Sequence, residues 1–236
     1  MTISKPIDDT LKGDRQSSSQ SNSDHAYDWI KQRILSNKLV PGTAIRIQDL
    51  ASELGMSRTP IKAALIQLEK EDLVELTPRQ GMRVKPIHPQ TMKEIYEILA
   101  GLEVIAVELI AARSPSEEEM AELVEAQTDM ENALADDDRD AWAGADERFH
   151  QELVSLAGNK RLAAIVSTFR DQTRRARILT LGLRPKPDNS TQSHRMLLEA
   201  LRSGDAEEAL ALHCKQRLRS ASELTELLAR YNLYAL

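Results

Sequence analysis

Asp146 and His150 stand four residues apart within a helix-periodic stretch, so one helix face presents a carboxylate and an imidazole together. Two such groups on one face are what a metal ion requires of a helix, and His194, from a later segment, offers a second imidazole. An N/O donor set of this kind suits Zn, Ni or Mn. A different chemistry is written into Ser57-Arg58-Thr59-Pro60. There a helix N-cap hydroxyl, a guanidinium, a second hydroxyl and a proline tolerated at a helix start fall in one turn. The N-terminal end of a recognition helix enters the DNA major groove, so base- and phosphate-reading groups belong there. Arg58 can pair bidentately with guanine O6 and N7, for about 1–3 kcal/mol of discrimination. Lys62, one turn on, is a flexible point charge suited to phosphate. Gly81 allows a tight hairpin tip, from which Arg79, Gln80 and Arg83 can follow the DNA backbone or minor groove.

The elements that must position these groups follow from periodicity and punctuation. Residues 1–22 are polar, with a Ser/Gln/Asn run, and are expected to form a disordered tail. Ser23 or Asp24 is expected to cap a first helix, which ends at Asn37 and Pro41-Gly42. A short helix follows near Ile47–Leu54, closed by Gly55, and Ser57 is expected to cap a third helix whose stripe is Ile61, Leu65 and Leu68. Leu73–Thr77 and Met82–Lys85 read as a hairpin around Pro78–Gly81. Three helices and a hairpin over residues 23–87 make a winged helix-turn-helix. From residue 88 to 236 the pattern is wholly helical, with helices expected near 90–113, 116–135, 138–157, 160–182, 190–203 and 205–232. Their short breaks imply an antiparallel bundle of six or seven helices. The fold class is therefore mainly α.

Composition bounds the function. Only 3% of the residues are aromatic against 41% hydrophobic, so the cores rest on aliphatic side chains, which suits helix packing. A single cysteine, Cys214, excludes an intrachain disulfide framework and fits a reducing cytosol. No apolar run approaches the roughly 18 residues of a membrane helix, and no secretory leader is legible, so a cytoplasmic protein without a membrane partner is expected. The net charge of −6 divides unevenly. Residues 1–88 hold 13 Lys+Arg and 11 Asp+Glu, net +2, while residues 89–236 hold 18 and 26, net −8. Only the first third is suited to DNA.

Pro41-Gly42, Leu50-Ala51, Leu54-Gly55, Ser57–Pro60, Ala64-Leu65, Leu68 and Arg79-Gln80-Gly81 resemble the operator-binding domain of the GntR superfamily. The resemblance implies DNA contacts at Arg46 or Gln48, Arg58, Thr59, Lys62 and the wing tip. It departs at Lys62-Ala63, where the family usually has Arg-Glu, and at Asp72, where it has Gly. The second half resembles the FCD ligand-binding domain of the FadR-type branch, through Asp146-x-x-Phe149-His150, Gly158-Asn159, His194 and Gly204-Asp205-Ala206. That resemblance implies a metal on Asp146, His150 and His194, with a further histidine at a position here held by Gln216. His213 lies one turn earlier. The site is thus a three-ligand centre, one completed by His213, or a pocket without metal. The family's arginine on the first bundle helix is Leu99 here, close to Glu103, so either Arg170, Arg174, Arg175 or Arg177 meets the effector instead or, more simply, the effector is less acidic or more apolar than the family's.

The function expected is a transcription regulator, a repressor by family habit. A small-molecule effector, an organic acid in the family's manner, would tune its affinity for an operator. A homodimer reading a palindromic double-stranded operator is expected, because one recognition helix reads only a few base pairs. Two other classes compete. A metal-dependent helical-bundle enzyme would need a second Glu-x-x-His or a recognisable nucleophile or phosphate loop, none of which occurs. A protein-binding helical adaptor has only amphipathic helices in its favour.

Overall fold

The computed structural model describes residues 21–77 and 81–233. Most of the polar tail, and Arg79 and Gln80 at the wing tip, lie outside the described residues.

Helix α1 spans Asn22–Leu35 and is capped by Ser21, whose hydroxyl accepts from the Asp24 amide at 3.2 Å. The cap is thus not Ser23 or Asp24. Both fall inside the first turn, where the Asp24 charge favours the positive end of the helix. Strand β1 (Ala44–Ile45), helix α2 (Ile47–Leu54) and helix α3 (Arg58–Lys70) follow. Gly55 takes a left-handed φ of +63° between the two helices and makes the tight turn. Ser57 occupies the N-cap position of α3, but its side chain makes no capping hydrogen bond.

Strands β2 (Val74–Thr77) and β3 (Gly81–Val84) pair antiparallel, Leu76 opposite Met82. β1 adds to the other edge of β3, giving the order β1-β3-β2. A two-residue strand carries no periodicity, so β1 was not legible in the sequence. Gly81 makes this edge: its φ is +126°, and a Cβ there would lie 2.1 Å from the Ile45 carbonyl oxygen. Ile30, Ile34, Leu50, Ile61, Leu65, Leu68, Leu73 and Val84 are fully buried between the helices and the sheet.

The bundle comprises α4 (Pro89–Arg113), α5 (Ala121–Ala135), α6 (Arg139–Leu156), α7 (Lys160–Thr180), α8 (Asp188–Ser203) and α9 (Ala206–Arg230), with a 3-10 turn at Leu181–Leu183. Asp138, Asn159 and Asp205 cap α6, α7 and α9 through their side chains. α5 begins at Ala121, five residues later than the expected 116. Ser116 and Glu119 exchange two hydrogen bonds, 2.9 and 3.3 Å, which hold the acidic run as a separate turn. α4 lies along α9 and α5 along α6. Phe149, Leu153, Ile110, Met130, Leu197 and Leu201 form one core, and Tyr96, Leu99, Val166 and Leu224 belong to a second, nearer the winged helix. No helix among the described residues is long and apolar enough to cross a membrane.

Candidate functional site

Asp146 and His150 project inward from α6 and His194 from α8, and all three are buried. The His150 and His194 Nε2 atoms lie 3.3 Å apart, and Asp146 Oδ1 lies 3.8 and 3.7 Å from them. Metal–ligand bonds of about 2.0–2.2 Å place neighbouring ligand atoms roughly 3–3.6 Å apart, so the triangle fits an ion after a slight contraction. The chemistry of the donors fits as well. Burial, together with the Arg217 charge, pushes the His150 pKa down to about 4. Burial and the neighbouring His150 hold that of His194 well below its ordinary value. Both imidazoles are therefore neutral at pH 7, with lone pairs to give. Behind the triangle, Glu103 Oε2 stands 3.4 Å from His150 Nδ1, the outer carboxylate that orients a ligating histidine. Arg177 holds the other oxygen of Asp146.

Gln216 completes the rim. Its Nε2 is 3.4 Å from His194 Nε2, and its Oε1 is buried without a hydrogen-bond partner. His213 does not take the fourth position. Its Nε2 lies 3.0 Å from Glu103 Oε2, on the far side of His150 from the triangle. Glu103, His150 and His213 form a second cluster of ligand-type atoms, but Arg217 Nε already stands 3.1 Å from the same Glu103 oxygen. Burial opposes ionisation of Glu103, yet Arg217, His150 and His213 together keep its carboxyl well below the usual range. This cluster is a charge-balanced floor beneath the triangle.

A cavity of about 60 Å³ opens against Asp146 and His150 and is walled by Tyr96, Trp142, Gln216, Leu181 and the run Arg184–Pro187. Its lining is cationic: Arg139, Arg177, Arg184, Lys186 and Arg217 face only Asp146 and Glu223. Arg139 Nη1 donates to the Arg184 carbonyl at 2.6 Å and so holds the lip of the cavity. Leu99 and Glu103 line a much smaller space of about 10 Å³ on the other side of His150, shared with Glu147, Arg170, Arg177 and Arg217. Arg174 lines neither space and is exposed, so it is not the cavity's guanidinium. Arg177 and Arg217 hold that place. Arg217 was missed by sequence reasoning, although its spacing from His213 and Gln216 puts all three on one face of α9.

On the winged helix, Arg46, Gln48, Ser57, Arg58, Thr59 and Lys62 are all exposed. Gln48 and Arg58 meet across the α2–α3 turn, the Arg58 Nη2 donating to Gln48 Oε1 at 2.6 Å. Arg46 is held by Asp49 through contacts of 2.9 and 3.2 Å. Asp72 adopts φ +60° and pairs with Lys85, so the usual glycine is replaced by a residue type that tolerates the left-handed region.

Comparison with known proteins places both halves. Residues 22–84 match the model of the gntR family of bacterial regulatory proteins, and residues 94–215 match the FCD domain. The chain is 37% identical over 149 residues to an HTH-type transcriptional regulator from the TAR-I ttuE-ttuC' intergenic region of Agrobacterium vitis, covering 62% of this chain and 86% of that one. It is 30% identical over 191 residues to a "Probable D-xylose utilization operon transcriptional repressor" of Paenarthrobacter nicotinovorans, covering 79% and 82%. Among solved structures, Escherichia coli McbR/YncC has the same fold, with a TM-score of 0.74 at 20% identity over 89% of this chain and 99% of that one. The metal-free FCD domain of TM0439 aligns with a TM-score of 0.52 at 22% identity, over 61% of this chain and 98% of that one.

Proposed function

This chain belongs to the gntR family of bacterial regulatory proteins and carries an FCD domain, and from that premise we propose how it regulates. The winged helix binds a double-stranded operator through Arg58, Thr59 and Lys62, with Arg46, Gln48, Ser57 and the Arg79–Gly81 wing beside them. A small organic acid enters the cationic cavity and changes operator affinity; the chain acts as a repressor, not an enzyme. The observation that carries the reading is the cluster of Asp146, His150 and His194, of which Asp146 and His150 line a cavity that also holds five cationic side chains.

Asp146 Oδ1 and the two Nε2 atoms would hold a divalent ion, Zn, Ni or Mn, with the Gln216 amide beside it as a weak fourth donor. Such an ion supplies positive charge and open coordination positions for a carboxylate. The protein's own groups do the rest. Glu103 orients the His150 ring, Arg177 fixes Asp146, and Arg184 and Arg217 offer guanidinium donors to an anion. An effector shifts DNA affinity only by as much as it binds the two states unequally.

A homodimer supports this use, because two recognition helices about 34 Å apart read a palindrome in successive major grooves. Ile98, Ile105 and Leu109 on α4 and Leu218 on α9 are large, apolar and exposed, from 38% to 55%, and are the proposed seat of a second copy. Native mass spectrometry with elemental analysis of the purified protein tests the whole reading. The expected result is twice the 26.4 kDa chain mass, one transition metal per chain and a retained small acid. A metal-free monomer that takes up neither zinc nor acid contradicts it.

A further inference from the structure

Helix α7 touches both the cavity and the winged helix, on opposite faces. Facing the bundle interior, Arg177, which lines the cavity, holds Asp146 and reaches Glu147 Oε2 at 3.0 Å, and Arg170 stands 3.3 Å from Glu147 Oε1. Facing the winged helix are Asp171, Gln172 and Arg175. Gln172 Nε2 donates at 3.2 Å to the carbonyl of Glu71, the C-cap of α3, which has no continuing turn to bond it. Arg175 Nη2 donates at 2.7 Å to the carbonyl of Lys85, just past β3 at the base of the wing. Asp171 pairs at 2.6 Å with Lys31 of α1, which also holds Glu71 at 2.8 Å. The Asn37 side-chain amide returns a bond to the Arg175 carbonyl at 3.3 Å. At 100° per residue Arg175 and Arg177 point about 160° apart around the helix axis.

We propose that Arg175 is a positioning residue that couples the cavity to DNA. With Gln172 it clasps the end of the recognition helix and the root of the wing to α7, so a displacement of Arg177 reorients both DNA-reading elements as one body. The proposal rests on the regulatory reading of the cavity above. Arg175 is 2% exposed and its Nε has no hydrogen-bond partner. A buried guanidinium so sparsely satisfied is costly to keep. A junction required only for packing is better served by an apolar side chain. A rigid helix gripped at both faces moves as a unit, whereas a flexible linker alone passes on no orientation.

The test is hydrogen exchange on the full chain, as wild type, Arg175→Met and Gln172→Ala, with two probes. The first probe is an operator duplex obtained by selection from random sequence; the second is zinc chloride, whose binding is followed separately by calorimetry. In the wild type the duplex is expected to slow exchange about fivefold or more in residues 171–180, and zinc to do the same in residues 71–73 and 85–87. In Arg175→Met both distant responses vanish while the duplex and zinc still bind, and Gln172→Ala weakens them in a variant with a milder packing change. Distant responses that persist in both variants, or a wild type whose α7 ignores bound DNA, overturn the proposal. Failure of zinc to bind the wild type sinks the metal reading instead, and the duplex arm still decides the role of Arg175.

Discussion

Arg217→Met should be among the most damaging single substitutions in the bundle. Arg217 and Glu103 are 5% and 3% exposed, with Arg217 Nε 3.1 Å from Glu103 Oε2 and the guanidinium 5.3 Å from the centre of the Tyr96 ring. Methionine keeps most of the aliphatic volume, so the cost is not a cavity but a buried carboxylate deprived of its cation. Breaking such a pair from one side costs about 3–5 kcal/mol. At roughly 2–4 °C per kcal/mol for a protein of this size, the melting temperature should fall by about 6–20 °C. The remaining partners of Glu103 are His213 and His150, neither of which carries the fixed positive charge of the lost guanidinium. Adding Glu103→Gln, which removes the charge but keeps a hydrogen-bond acceptor, should recover most of the loss. Thermal and urea unfolding of the two single variants and the double variant decide it. A cost below about 1 kcal/mol for Arg217→Met, or no recovery in the double variant, refutes the charge-balanced floor.

Gly81→Ala should destabilise the winged helix by at least about 2 kcal/mol, because its φ is +126° and the new methyl would meet Ile45. Urea unfolding followed at Trp29 reads this out, and an unchanged midpoint would contradict the edge-strand geometry. Metal-free protein should lose stability in mild acid. His150 has a folded pKa near 4 against 6.5 unfolded, so the unfolded chain binds the proton first. Stability is flat above pH 6.5 and falls by up to about 3 kcal/mol as pH drops toward 4. A melting temperature that stays level from pH 7.5 to 5 speaks against the neutral buried imidazole. Gln48→Ala should relax the preference at the base pair proposed for Arg58, because Gln48 Oε1 fixes the guanidinium at 2.6 Å. Arg58→Ala should cost about 1–3 kcal/mol at the same position. Equal discrimination in wild type and Gln48→Ala, by competition binding, removes that orienting role.

The winged helix was legible because its punctuation is local. Gly55, the Ser57–Pro60 turn and the Ile61/Leu65/Leu68 stripe each act within a few residues. What was misplaced was also local but weakly coded: the Ser21 cap, the two-residue β1, and the Ser116–Glu119 turn that delays α5. Asp146 and His150 were readable as a pair from their helical spacing, and His194 was joined to them by the resemblance to the FCD domain. The floor beneath them was not, since His213 meets Glu103 across 110 residues of chain. No local pattern encodes such a pairing, so His213 could be mistaken for a ligand and Arg217 overlooked. Arg175 was hidden for the same reason: its partner, Lys85, lies 90 residues away, and in the sequence it is one arginine among several on α7.

The central claim is that a ligand centre in the bundle is thermodynamically linked to DNA on the winged helix. Calorimetric titration of zinc into chelator-stripped protein, alone and saturated with a selected operator duplex, tests it most directly. The account predicts one site per chain, lost in Asp146→Ala, whose affinity differs at least about fivefold between the free and DNA-bound protein. No zinc uptake, or the same affinity in both forms, contradicts it.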